Sequence, residues 1–175
     1  MHHWNQGCCL GKTALWATAR DTRFSAVIAS CSGEGGAALS RRNFGETVAR
    51  LTAPTRFPYQ FSESYGLFTS HIHHLPVEAN LLLSLIAPRP LLLQTVSEDL
   101  WSDPKGEFLA AVDASRVYEF LGTEGLQISL WPVAGEPVWG YPQLLYARGR
   151  PRNPALRLGD LYGVFKNSFD KSKNR

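Results

Sequence analysis

Asp99 stands three residues past the apolar run Leu91-Leu92-Leu93-Gln94-Thr95-Val96. Such a run has the texture of a buried parallel strand, and α/β sheets gather their ligands at strand C-termini, so a carboxylate there is placed for chemistry. The other reactive groups are less well arranged. Cys8 and Cys9 are adjacent and Cys31 makes the cysteine count odd, which argues against a disulfide framework. His71, His73 and His74, together with His2 and His3, offer imidazoles for zinc, but their spacing fits no standard site. The reading therefore predicts no metal and no cofactor, and takes these histidines as polar loop residues ahead of Pro76. Gly33, Gly35 and Gly36 suggest a phosphate cradle, yet no G-K-[ST] follows and no dinucleotide fingerprint is present, so a plain turn is expected.

The elements that would position these residues follow from apolar spacing and breakers. A helix is expected from about Lys12 to Arg20, then a short strand Ala26-Val27-Ile28-Ala29 running into the turn Ser32-Gly33-Glu34-Gly35-Gly36. A second helix is expected over residues 37 to 51, and a long surface excursion from Pro54 to Leu75, of the kind that often carries binding residues. Pro76 should open a helix through Leu85, and Asp103-Pro104 should supply N-cap and N1 of a helix to about Leu121, ended by Gly122. Leu126 to Trp131 is a further strand. Strands alternating with helices predict an α/β fold.

The chain has 175 residues, 44% of them hydrophobic and 19% charged, enough for one globular unit with a core. No apolar run reaches the roughly 18 to 20 residues of a membrane span, and Met1-His2-His3-Trp4 does not read as a signal peptide. The reading predicts neither membrane nor nucleic-acid partners. The formal charge of +3 comes mostly from residues after Arg148, and no nucleic-acid motif accompanies that basic tail. After Gly140 the periodicity disappears, which divides the chain into a unit at 1–141 and an atypical basic tail at 142–175. Compartment and oligomeric state stay open.

Gly7-Cys8-Cys9-Leu10-Gly11-Lys12-Thr13-Ala14-Leu15-Trp16 is similar to the nucleophile motif of glucuronoyl esterases, G-[CH]-S-R-x-G-K-x-A-L. Ser32 to Arg42 resembles the S-G-x-G-G-A-A-L-S-R-R of bacterial members, and Phe44-Gly45-Glu46-Thr47-Val48 extends it. Leu85-Ile86-Ala87-Pro88-Arg89-Pro90 and the residues from Ser97 to Pro104 complete a colinear series reaching about Val138. The resemblance implies the C-terminal part of a three-layer α/β-hydrolase sheet, with the N-terminal strands missing. It also implies a carboxylic ester hydrolase acting on 4-O-methyl-glucuronoyl esters of glucuronoxylan with lignin alcohols, from a secreted or periplasmic parent family. In that chemistry a serine attacks the carbonyl, a histidine takes its proton and a carboxylate orients the histidine. By resemblance Cys9 occupies the nucleophile position, Asp99 fits the catalytic acid, and Lys12, Glu46 and Trp101 fit the substrate-binding lysine, glutamate and tryptophan. The ordinary alternatives for those three are a solvated helix lysine, a surface carboxylate and a core aromatic.

The pattern is broken in two places. Ser-Arg should lie between Cys8 and Leu10, and Cys9 alone is there. Codons TCN-CGY losing three internal nucleotides become TGY, which is cysteine. A thiolate can act as nucleophile when a base or helix N-terminus lowers its pKa, but the shortened turn is expected to misplace it. The other acid position of the family is Cys31, and Pro151 sits where the histidine belongs. Permitted codons from Pro142 onward, read in the next frame, spell G-Y-H, G-H-A and Y-D-W in the family's order. The expectation is a one-nucleotide insertion near Tyr141 and a chain that does not turn over esters; the alternative is a non-catalytic glucuronic-acid-binding remnant.

Overall fold

The computed structural model describes residues 6–57, 59–96, 99–123, 126–128 and 142–147. Helix α1 (Gln6–Arg20) ends where its apolar spacing predicts but begins six residues before Lys12, taking in Cys9, and leads into strand β1 (Val27–Ser30). Leu15 is fully buried on the face of α1 that meets the core, while Leu10 and Trp16 stay exposed. Gly11 is required where α1 ends up: a Cβ there would come within 2.7 Å of the Ser30 carbonyl oxygen, so only glycine lets the helix reach the end of β1.

The helix expected over residues 37 to 51 does not form. The chain instead makes a 3-10 turn at Ser40–Arg42, passes through left-handed conformations at Asn43 and Gly45, and resumes only as the short helix α2 (Val48–Leu51). The reason is a close approach. At Gly45, with φ +62°, a Cβ would stand 2.3 Å from the Leu100 carbonyl oxygen and 2.6 Å from that of Trp101, so the chain must turn where a helix would continue. Thr47 then caps α2, its hydroxyl accepting from Arg50 N.

The excursion after Pro54 contains helix α3 (Glu63–Gly66) and a 3-10 turn at Ile72–His74. Helix α4 (Ala79–Ser84) starts three residues later than Pro76 suggested. Its cap is Glu78, whose carboxylate accepts from Ala79 N and also from Ser40 N and Arg41 N, tying α4 to the 40–42 turn. Strand β2 (Leu91–Val96) matches the apolar run. Helix α5 (Pro104–Phe120) has Asp103 at its N-cap and Pro104 in its first turn as expected, but the Asp103 side chain makes no capping hydrogen bond; its carboxylate accepts from Arg42 Nε at 2.8 Å instead.

Strands β3 (Leu126–Ile128) and β4 (Pro142–Ala147) complete a four-stranded sheet of order β1-β2-β4-β3. β1 and β2 are parallel, and β4 runs antiparallel to both β2 and β3. The first six residues of the segment assigned to the atypical tail therefore pair within the sheet, with Leu93 opposite Leu145. Residues 148–175, including Pro151, lie outside the described residues, as do 129–131 of the expected third strand. The core gathers Leu15, Val27, Leu83, Leu91, Leu93 and Tyr118 from α1, β1, α4, β2 and α5, with Ile86 from the turn after α4. Leu91, Leu92 and Leu93 are each at most 1% exposed, so β2 is covered on both faces as a central strand should be.

Candidate functional site

The residues singled out in the sequence fall at the C-terminal ends of β1 and β2 and the beginning of α1. Cys9 and Lys12 lie about one turn apart on α1 and both line a groove of about 1210 Å³. Lys12 Nζ donates to Glu46 Oε2 at 2.8 Å, and both residues are buried. The pair thus departs from the ordinary alternatives: neither the lysine nor the carboxylate is a solvated surface group. Glu46 is held further by its own backbone, whose N–H donates to the Trp101 carbonyl at 2.6 Å, and by the Glu34 N–H, which donates to Oε2 at 3.1 Å.

Trp101 is thereby joined to Glu46 through the main chain, but its ring lines a separate, smaller cleft with Phe44, Gly45 and Arg50. The guanidinium carbons of Arg50 and Arg56 each lie 5.5 Å from its ring centre, a cation–π arrangement. It is half-buried between charged groups, which is not the surrounding of a core aromatic.

Asp99 accepts from the Ser102 hydroxyl at 2.6 Å, and the same hydroxyl approaches the Cys31 carbonyl at 3.4 Å. The two positions that the family resemblance offers for a catalytic acid are therefore neighbours, bridged by Ser102. Cys31 itself ends β1 with φ +43° and donates its N–H to Gln94 O at 2.8 Å. Cys9 Sγ accepts from Gln60 Nε2 at 2.8 Å. His71 and His74 stack with ring centres 5.6 Å apart on the 72–74 turn, and neither the Cys9 thiol nor the Asp99 carboxylate has a histidine as hydrogen-bond partner among the described residues.

Three residues that the sequence did not mark support this arrangement. Glu107 of α5 is fully buried and accepts from Ser32 Oγ and Gly33 N, both at 2.8 Å; burial pushes its carboxyl up to about 7. Glu34, the variable position of the S-G-x-G-G turn, accepts from Ser40 Oγ and Tyr65 OH, each at 2.5 Å. Burial raises the Glu34 carboxyl above the usual range, those hydrogen bonds offsetting part of the effect. Tyr65 stacks on Phe61 with ring centres 5.0 Å apart, and burial with the nearby Glu34 charge moves its phenol upward. A charged residue in a turn framed by glycines was the available signal for Glu34.

Residues 6–122 match the family model described as glucuronyl esterase, fungi. A carbohydrate esterase from an unknown prokaryotic organism is 52% identical over 123 residues. The chain belongs to the glucuronoyl esterase family. That relative is matched over 70% of this chain and 28% of its own length. The 4-O-methyl-glucuronoyl methylesterase 1 of Wolfiporia cocos is 31% identical over 117 residues, 64% of this chain and 29% of that protein. Among solved structures, a promiscuous CE15 esterase from a marine bacterial metagenome shares 50% identity at a TM-score of 0.66, over 73% of this chain and 32% of that one. A CE15 glucuronoyl esterase from Teredinibacter turnerae shares 40% identity at a TM-score of 0.64, over 72% and 30%. The fold is thus part of an α/β-hydrolase, and the chain spans about 30% of the length of these glucuronoyl esterase relatives.

Proposed function

We propose that the groove beside Cys9 is the uronate-holding part of a glucuronoyl-ester site, of the carboxylic ester hydrolase class, and that this chain binds the sugar without turning the ester over. The observation that carries the reading is the buried Lys12–Glu46 pair, 2.8 Å apart, whose lysine lies in the wall that also bears Cys9. An ammonium fixed by a buried carboxylate offers donors in set positions, which suits sugar oxygens and costs little reorganisation on binding. The ligand is an ester of 4-O-methyl-glucuronic acid in glucuronoxylan with a lignin alcohol, and Trp101, in its own cleft, is assigned to it by the family resemblance alone.

Turnover requires a nucleophile, a base that takes its proton and an acid that orients the base. Here the group hydrogen-bonded to the Cys9 thiol is the amide of Gln60, which accepts no proton at neutral pH, and Asp99 is occupied by a hydroxyl instead of an imidazole. Calorimetric titration with glucuronic acid and an assay with benzyl glucuronate test the reading together. Binding that Lys12→Ala abolishes, with no release of benzyl alcohol above buffer, is expected. Ester release would show a competent enzyme, and absence of binding would remove the sugar site.

A further inference from the structure

The turn at residues 32–36 is a platform with supports on both sides. From α5, Glu107 holds Ser32 and Gly33. On the groove side the turn receives three contacts. The Trp16 indole donates to Gly35 O at 2.7 Å, the Phe61 ring lies where a Cβ on Gly35 would come within 2.8 Å, and the Tyr65 phenol donates to Glu34 Oε1 at 2.5 Å. Gln60, Phe61 and Tyr65 all line the groove, and Gln60 reaches Cys9 from this same segment.

Among the described residues, the side-chain hydrogen bonds that join residues 60–65 to the rest of the chain come from Gln60, to Cys9, and from Tyr65, to Glu34 with the Ser40 hydroxyl beside it. The first ends on a sulfur, a weak acceptor. The second ends on a carboxylate only 2% exposed, which Ser40 Oγ and Gly35 N also hold in place. The acceptor is thus fixed before the phenol reaches it.

We propose that Glu34 is a positioning residue: through Tyr65 it latches residues 60–65 over the groove and so sets both the Gln60 contact and the access of other molecules to Cys9. The wall carrying the stacked Phe61–Tyr65 pair is then part of the site only while the latch is made. The proposal does not depend on the ester-site reading above, because thiol access is measured without any sugar.

The test is alkylation of the full 175-residue chain with iodoacetamide, the rates at Cys9 and Cys31 being read from fragment ions, which separate Cys9 from the adjacent Cys8. Tyr65→Phe removes only the phenolic oxygen. Losing a hydrogen bond to a buried carboxylate shifts an opening equilibrium about tenfold, so Cys9 is expected to label about tenfold faster while Cys31 is unchanged. Glu34→Ala should do the same if it folds; if it does not, Tyr65→Phe decides alone. A general loosening of the fold would raise Cys9 and Cys31 together. That result, or an unchanged Cys9 rate in Tyr65→Phe, overturns the proposal.

Discussion

Glu107 and Ser32 meet across 75 residues of sequence, a fully buried carboxylate accepting from a hydroxyl at 2.8 Å while the adjacent Gly33 N–H donates to the same oxygen. Helix α5 thereby fixes the turn from which Glu34 reaches both Glu46 and Tyr65. The supporting charge lies behind the groove, not in it.

This placement gives stability a pH dependence of definite sign. Burial pushes the Glu107 carboxyl up from 4.5 to about 7, so between those values the folded chain holds a proton that the unfolded chain releases. Its contribution is complete below about pH 4.5, falls as pH rises and is lost above about 7, on the order of 3 kcal/mol across the window. Glu107→Gln keeps an oxygen for both hydrogen bonds and cannot titrate. Urea midpoints of the parent should fall relative to the variant between pH 4.5 and 7 and run parallel above; a constant difference would place the titration elsewhere.

Glu46→Ala removes a buried partner of Lys12, the two side chains being 9% and 3% exposed for the lysine and the glutamate. Breaking a buried pair from one side costs about 3–5 kcal/mol, because the remaining charge stays in a poorly solvated place. The variant should unfold at much lower urea concentration than the parent. A change under about 1 kcal/mol would mean that water reaches Lys12 readily.

Arg89 is expected to tolerate no lysine. Its guanidinium donates to the carbonyls of Thr18, Asp21, Phe24, Leu85 and Ile86, joining the end of α1 to the residues between α4 and β2. A single ammonium with three protons cannot span that fan of acceptors. Arg89→Lys should lower stability by roughly 2–4 kcal/mol, with carbonyls left short of donors. Equal stabilities in urea would show that solvent replaces the lost bonds.

Cys9→Ser is expected to leave ester turnover at the buffer rate. The change supplies a hydroxyl at the nucleophile position, but its neighbour remains the Gln60 amide. Release of benzyl alcohol from benzyl glucuronate by this variant would mean that another group serves as base.

Much of the fold was legible in the sequence where the signal is local. The continuous apolar run gave β2 its bounds, and Pro104 marked the start of α5 because its ring fits only a first turn. The helix expected over residues 37 to 51 failed for a reason no local pattern carries: Gly45 turns because the backbone at Leu100 and Trp101 lies against it. Asp103 likewise has the residue type of a cap, but Arg42, 61 positions away, takes its carboxylate.

By itself the sequence determined the family, the strand-and-helix order around β1, β2 and α5, and the candidates Cys9, Lys12, Glu46, Asp99 and Trp101. Tertiary structure alone decided that Lys12 meets Glu46, that Trp101 stands in a cleft of its own, that Ser102 bridges Asp99 and Cys31, and that Glu34 and Glu107 underlie the groove. Propensity and apolar period act over a few residues, within one element. Which polar groups are buried together depends on where distant segments pack, and only there does burial turn a glutamate of a glycine turn into a fixed acceptor.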